Sequence, residues 1–339
     1  MNPRMPAEWA EHDACLMAWP TRPALWGPAF EAAKQEYAAV ARAIAGFEPA
    51  LMIAAPGLAE EARAACGTGT GTGIEVIELP IDDSWLRDSG PIFAHDEHGA
   101  RVGIDFRFNA WGEKHYPWTA DDKLASLLLD RLGTPRVHSS MILEGGAVTV
   151  DGEGTLITTE QCLLHPNRNP RMSRAEIEEE LGRRLGIEKV IWLPYGGLED
   201  TETDGHVDGV AAFVGPAKVV VSLPGDPAHP DHARMRANLA VLEASTDARG
   251  RALEVVPVPQ TTYGEVAGTR VEVGYLNFYL ANGGCVVPVG GTPQDEEALA
   301  VLAAALPGRT VVGVPTPVLA YGGGGVHCIT QQLPKEARA

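Results

Sequence analysis

Apolar and polar positions along the chain follow two periods, and one compound pattern recurs five times. A stretch with helical spacing leads into a short β-branched run, often closed by proline, and a polar or glycine-rich loop follows. The runs are Ile74-Glu-Val-Ile-Glu-Leu-Pro80, the weaker Arg136-Val-His138, Lys189-Val-Ile-Trp-Leu-Pro194, Leu253-Glu-Val-Val-Pro-Val258 and Thr310-Val-Val-Gly-Val-Pro315. Before the third, the pattern predicts a helix over 173–185, with Ser173 as N-cap and Glu176 three places on as a capping box. Unit lengths are irregular and the units share little sequence, so the repeat is one of structure. An α/β class follows, and the alternation also allows a doubly wound sheet; periodicity does not choose.

The loops after these runs carry chemistry. The first is followed by Asp82-Asp-Ser-Trp-Leu-Arg-Asp-Ser-Gly-Pro91 and the second by Leu143-Glu-Gly-Gly146. After the third comes Glu199-Asp-Thr-Glu-Thr-Asp-Gly-His-Val-Asp208, and after the fifth Tyr321-Gly-Gly-Gly-Gly-Val-His-Cys-Ile-Thr-Gln-Gln332. Four of five units thus deliver an acid, a histidine or a thiol at one relative place. Arranged about a pseudo-symmetry axis, the loops would meet at one point, the common way a rigid scaffold builds a site from loops.

No interior stretch reads as a linker, so 1–339 is expected to form a single domain. The run Cys66-Gly-Thr-Gly-Thr-Gly-Thr-Gly73 lacks the Lys-Ser/Thr of a P-loop and precedes its strand, so a surface loop is expected. Pro334 to Ala339 is expected to be a frayed end.

Composition narrows the function. No apolar run reaches the length of a bilayer span, and the N-terminus places acids and Trp9 where a signal peptide would need an apolar core. Five scattered cysteines without a C-x-x-C pair indicate neither a disulfide framework nor a zinc knuckle. Reduced thiols fit a cytoplasmic enzyme. A net charge of −18 argues against nucleic acid and is compatible with a cationic substrate. A homo-oligomer is left open.

Cys328 follows four glycines and one histidine, and is expected to be an accessible nucleophile. With His206 it would allow nucleophilic catalysis with proton transfer. The carboxylates Asp88, Glu144 and Asp208 alter the choice of substrate, because clustered buried acids require a cation. His206-Val-Asp208, read as a strand, would point both side chains to one face, a geometry a metal could use. A second ligand histidine is missing from the motifs, and a planar guanidinium, gripped by paired charge-assisted hydrogen bonds, fits better.

At this point the motifs match a family. Leu86-Arg-Asp-Ser-Gly-Pro91, Phe108-Asn-Ala-Trp-Gly112, Leu143-Glu-Gly-Gly146, Thr158-Thr-Glu-Gln-Cys-Leu-Leu164 with Asn167-Arg-Asn-Pro170, Thr203-Asp-Gly-His-Val-Asp208 and Gly324-Gly-Val-His-Cys-Ile-Thr-Gln-Gln332 resemble the agmatine deiminases, of the bacterial peptidylarginine deiminase type. Met5-Pro-Ala-Glu-Trp9 and Met17-Ala-Trp-Pro20 resemble that family too, and the matches run nearly the whole chain in order. The resemblance implies a pentein-like, five-bladed pseudo-symmetric α/β propeller. It implies that Cys328 attacks the guanidinium carbon, forming a covalent amidino-cysteine as ammonia leaves. His206 would protonate the ammonia and then activate water. Asp88 and Asp208 would clamp the guanidinium nitrogens, and Glu144 would orient His206 or share the clamp. No metal or organic cofactor is expected, and the partner would be a small cationic guanidine, with agmatine as substrate and peptidyl or free arginine as the alternative.

Trp85 and Trp111 could stack on the guanidinium or serve the core. Asn277, in Gly274-Tyr-Leu-Asn-Phe-Tyr279, is the fourth unit's candidate. Two segments, Glu113 to Tyr116 and Gln260 to Val273, are shorter than the resemblance leads one to expect, which leaves open what reads the far end of the substrate. No arginine outside the Arg87 and Arg168 motifs stands out as a partner for a substrate carboxylate.

Overall fold

Each of the five sequence units folds into the same small sheet. In the computed structural model, which describes residues 3–67 and 72–337, the chain lays down β1 (His12–Ala18), β2 (Ala50–Ala54) and β3 (Ile74–Glu78) as parallel neighbours. The next three sheets repeat one plan, an antiparallel pair followed by a parallel third strand: β4 (Ile92–His95), β5 (Arg101–Arg107) and β6 (Arg136–Ile142), then β7 (Thr149–Val150), β8 (Thr155–Thr159) and β9 (Lys189–Leu193), then β10 (Ala211–Gly215), β11 (Lys218–Ser222) and β12 (Glu254–Val258). A separate hairpin, β13 (Thr261–Val266) and β14 (Thr269–Gly274), precedes the fifth sheet of β15 (Tyr279–Ala281), β16 (Gly284–Val289) and β17 (Thr310–Pro315). The last strand, β18 (Thr330–Pro334), returns to pair antiparallel with β1 and gives the first sheet the same plan. The five β-branched runs are β3, β6, β9, β12 and β17, in each case the parallel edge strand. The antiparallel pair in each unit escaped the sequence pattern, because strands buried on both faces do not alternate.

A parallel strand needs a long crossover, and here a helix supplies it. The helices Phe30–Ala45, Asp121–Leu132, Arg174–Leu185, His232–Glu243 and Gln294–Ala305 fill this place in the five units, and in the first, whose sheet has a fourth strand, a second helix Ala59–Cys66 crosses from β2 to β3. The expected 173–185 helix begins at Ser173, whose Oγ accepts from the Glu176 amide, while the Glu176 carboxylate accepts from the Ser173 amide at 2.7 Å.

Alternate residues of the central strands enter different apolar clusters. Leu16 and Ala18 pack toward the second sheet with Phe93 and Leu128, whereas Cys15 and Met17 pack toward the fifth with Val286 and Tyr279. Val219 and Val221 join Ile157 and Ile191, while Val220 between them joins Cys285 and Val287. Ile92 and Ile104 meet Val150 and Leu156 in the remaining cluster. Each sheet therefore shares an apolar layer with the next, and the fifth with the first.

Three expectations change. His206 and Asp208 lie in a loop, not a strand, because strand pairing resumes only at Ala211. Within the expected frayed end, Pro334 belongs to β18 and the Ala337 amide donates to the Gly99 carbonyl; 338 and 339 lie outside the described residues, as do 68–71 of the glycine-threonine run. Of Gly322 to Gly325 only Gly323 has positive φ, at 97°. The others are required for space: a Cβ on Gly324 would fall 2.5 Å from the Trp85 ring. Among the described residues no helix is long and apolar enough to cross a membrane. Ser173→Ala should remove the hydrogen bond that Oγ accepts from the Glu176 amide, leave the one from the Ser173 amide to the Glu176 carboxylate, and lower the urea-unfolding free energy by about 1 kcal/mol; an unchanged midpoint would show that packing alone holds this helix.

Candidate active site

The loops that leave the parallel edge strands meet at Cys328. The short helix Leu86–Ser89 follows β3 and presents Asp88. Glu144 and the glycines after it follow β6, and the loop after β9 carries His206 and Asp208. Asn277 stands between β14 and β15, and Cys328 between the short helix Pro317–Tyr321 and β18. Gly146 marks the crossing point: a Cβ there would lie 2.6 Å from His206 Nδ1 and 3.0 Å from both Asp88 Oδ1 and Asp208 Oδ2. The Gly-Gly after Glu144 is thus explained by close approach.

Cys328 Sγ is 3.5 Å from Asp208 Oδ2, and the Asn277 side chain brackets it at 3.2 Å through Nδ2 and 3.3 Å through Oδ1. Asn277 Oδ1 also accepts from the Cys328 amide at 3.2 Å. The thiol is 8% exposed, so it is packed, contrary to the accessible thiol expected from the glycine run. It nevertheless opens onto a cavity of about 470 Å³ shared with His206, Asp208 and Asn277. Trp85, Asp88 and Trp111 reach Cys328 from a narrow recess of about 20 Å³. Glu144, with no exposure at all, lines neither.

Charge compensation explains much of the remainder. Asp88 accepts from Trp111 Nε1 and from the Gly146 amide, both at 2.9 Å. Trp111 also meets Phe108 edge to face, and Trp85 tilts against Trp26 with centroids 5.7 Å apart, so both tryptophans serve the core beside the recess. Glu144 Oε1 accepts from Arg168 Nε at 2.5 Å, and its Oε2 is buried with no hydrogen-bond donor among the described residues. The same guanidinium donates to Asp204 Oδ2, the Thr203 carbonyl and the Trp111 carbonyl, fixing the loop that holds His206. Arg87 performs the matching task for the cysteine, donating to Gln331 and Gln332 Oε1 at 2.7 and 2.6 Å.

Titration follows from this arrangement. Burial pushes the Cys328 thiol well above its usual range, and Asp208 and Asp88 push it further. Burial, with Asp208 and Glu144 nearby, also raises Asp88. Burial works against a charged His206, but Asp88, Cys162 and Glu144 prevail and hold its pKa well above the ordinary value. The ring lies 3.9 Å from Asp88 Oδ2 and makes no hydrogen bond among the described residues. Burial likewise disfavours charge on Asp208, yet His327 and His206 keep its carboxyl below the normal range.

His327, Glu8 and Cys162 were not singled out from the sequence. His327 Nδ1 is 3.0 Å from Asp208 Oδ2 and Nε2 is 3.1 Å from Glu8 Oε1, so one ring fixes the carboxylate beside the nucleophile. Its position next to Cys328 was the available signal. Cys162 lies fully buried beneath His206. One further amendment concerns Arg270, which lines the cavity, with its guanidinium carbon 3.5 Å from the Tyr263 ring centroid.

Two clusters have donor atoms within 4.8 Å of one another, as a metal ion would require. Glu144, Cys162 and His206 form the first, but Arg168 already neutralises Glu144 there. In the second, Asp151, Glu153 and Asp247, the Arg251 guanidinium pairs with both Asp247 and Glu153. Each place already holds a positive charge.

The family model described as Porphyromonas-type peptidyl-arginine deiminase matches residues 4–334. An agmatine deiminase of Pseudomonas aeruginosa is 43% identical, covering 99% of this chain and 96% of its own. The agmatine deiminase of Stutzerimonas stutzeri is 42% identical over 97% of this chain and 95% of its own. Among solved structures, an agmatine deiminase of Enterococcus faecalis superposes with a TM-score of 0.92 at 33% identity, covering 99% of this chain and 97% of its own.

Two predictions follow from the charges. Below the pKa of a thiol the reactive thiolate changes tenfold per pH unit, so iodoacetamide labelling of the Cys328 peptide should climb by about tenfold per unit through pH 9. A plateau below pH 8 would contradict the raised thiol. Arg168→Met leaves Glu144 buried without its counter-charge and should cost about 3–5 kcal/mol of stability in urea unfolding. Adding Glu144→Gln should recover part of that loss, and a double variant no better than the single would refute the pairing.

Proposed function

The chain belongs to the Porphyromonas-type peptidyl-arginine deiminase family, and from that premise we propose that it hydrolyses agmatine to N-carbamoylputrescine and ammonia through a covalent amidino-cysteine on Cys328. It is an enzyme acting on a guanidino group. The observation that carries the reading is the thiol set 3.5 Å from Asp208 and bracketed by Asn277, with Asp88 and a cationic His206 around it. A planar cation is what this surplus of acids accepts.

A guanidinium entering the site is gripped by Asp88 and Asp208. Its charge offsets the carboxylates that disfavour the thiolate, and the Cys328 proton is released as the cation binds. Sulfur then bonds to the guanidinium carbon, and the electron pair moves to nitrogen. His206 gives its proton to the departing nitrogen, the C–N bond breaks and ammonia leaves. Neutral His206 next takes a proton from water, whose oxygen adds to the amidino carbon. The C–S bond breaks as the C=O bond forms, the hydroxyl proton passes to the departing sulfur, and the thiol and the neutral carbamoyl product are restored and freed. Glu144 supports the imidazolium while being held by Arg168.

We read the fold as a five-bladed α/β propeller forming a single domain over 1–339. Five sheets of one plan, and the apolar layer shared by the fifth and first, support this. Five free cysteines support a cytoplasmic setting, and the net charge of −18 supports a small cation over nucleic acid as partner.

Ammonia release from agmatine, free arginine and a peptide with internal arginine tests the reading, alongside Cys328→Ala. Release is expected from agmatine only, falling to background in the variant and unchanged by EDTA. Preferential release from either arginine substrate would move the assignment to that substrate, and a chelator-sensitive activity would remove the thiol mechanism.

A further inference from the structure

We propose that Glu272, on β14, binds the far end of the substrate by pairing with a primary ammonium, so that the β13–β14 hairpin sets specificity; this rests on the deiminase reading above. The cavity at Cys328 extends away from the guanidinium clamp toward a wall made by this hairpin, with Gln260, Arg270 and Glu272 among its lining. The wall also includes Glu199, Asp200, Glu202 and Asp231, and their partners separate them. Asp200 accepts from the Thr203 and His206 amides at 3.0 Å each. Asp231 accepts from the Leu198 amide and from Gln260 Nε2, both at 2.9 Å. Glu202 pairs with His115 at 2.9 Å, and Glu199 is exposed to water.

Glu272 differs. Its Oε1 is buried and has no hydrogen-bond donor among the described residues, and the same is true of Oε1 of Gln260, the residue before β13. A buried acceptor left unpaired costs about 1–3 kcal/mol, more when it is charged. Both residues line the one cavity, so a ligand there can bring the missing donor, and a carboxylate among the acceptors calls for a positive one. A primary ammonium has three N–H groups and the matching charge. Arg270 does not fill the role, since its guanidinium is turned onto the Tyr263 ring rather than onto Glu272. A tail ending in a carboxylate would set an anion against Glu272. The geometry therefore favours an amine-terminated guanidine over an amino acid, and it gives the shortened 260–273 segment a function.

Steady-state kinetics of wild type and Glu272→Gln on agmatine and on n-butylguanidine, the same chain without the amine, test this. The variant should raise KM for agmatine by about tenfold or more, the size of one charge-assisted hydrogen bond, with kcat within twofold. Its KM and kcat for n-butylguanidine should match wild type, which also shows the variant to be folded. An unchanged KM for agmatine overturns the proposal, and so does an equal loss on both substrates, which would make Glu272 structural. Wild type inactive on agmatine would instead overturn the reading in the preceding subsection.

Discussion

Three carboxylates and a thiol buried at one crossing point form the constraint on which this structure depends. Like charges out of water cannot persist unless cations or donors reach them, and the neighbourhood is arranged accordingly. Arg168 neutralises Glu144 and on the same guanidinium holds the His206 loop. His327 lies between Asp208 and Glu8, and its partners hold the Glu8 carboxyl down at about 2 against the effect of burial. Arg87 ties the helix of Asp88 to the strand that follows Cys328. Among the described residues Asp88 keeps two donors and no cation except His206 at 3.9 Å. The compensation is therefore incomplete on the side that faces the thiol, which is where the proposed mechanism sets the substrate cation.

This convergence depends on the repeat. Every edge strand runs parallel to the strand beside it, so each unit's following loop leaves at the same end of its sheet. Because both faces of the sheets are apolar, single-residue alternation sends Val219 and Val221 to one neighbour and Val220 to the other. A one-residue slip in register would exchange those faces. Core packing thereby fixes the placement of loops that contribute little packing themselves.

The sequence revealed the edge strands because β-branched runs closed by proline stand out, and the 173–185 helix because its capping box is local. The antiparallel pair in each unit stayed hidden, since Gly284–Val289 and Thr155–Thr159 are buried at every position and carry no period. Site residues were legible where chemistry is rare in sequence: Cys328, His206, Asp208, Asp88 and Glu144 all reach one point. Their supports were less so. An arginine, a glutamate or a second histidine gains meaning only from its spatial partner, and Glu8 lies 319 positions from His327. The packed state of Cys328 is not legible in sequence because a glycine run reads as openness, whereas Gly324 and Gly325 let Trp85 and Asn277 close over the backbone.

Magnitudes indicate why the thiol is kept protonated until substrate arrives. At about 4 Å and an effective dielectric of about 20, two unit charges interact by about 4 kcal/mol. Burial first, then Asp208, 3.5 Å from Cys328 Sγ, and then Asp88 disfavour the thiolate. A guanidinium against the same carboxylates supplies an attraction of similar size and opposite sign. Binding and activation are then one event, and a neutral molecule in the cavity meets a thiol instead of a thiolate. On the proposed mechanism, the acids that make the empty site costly to build also select the substrate and time its reaction.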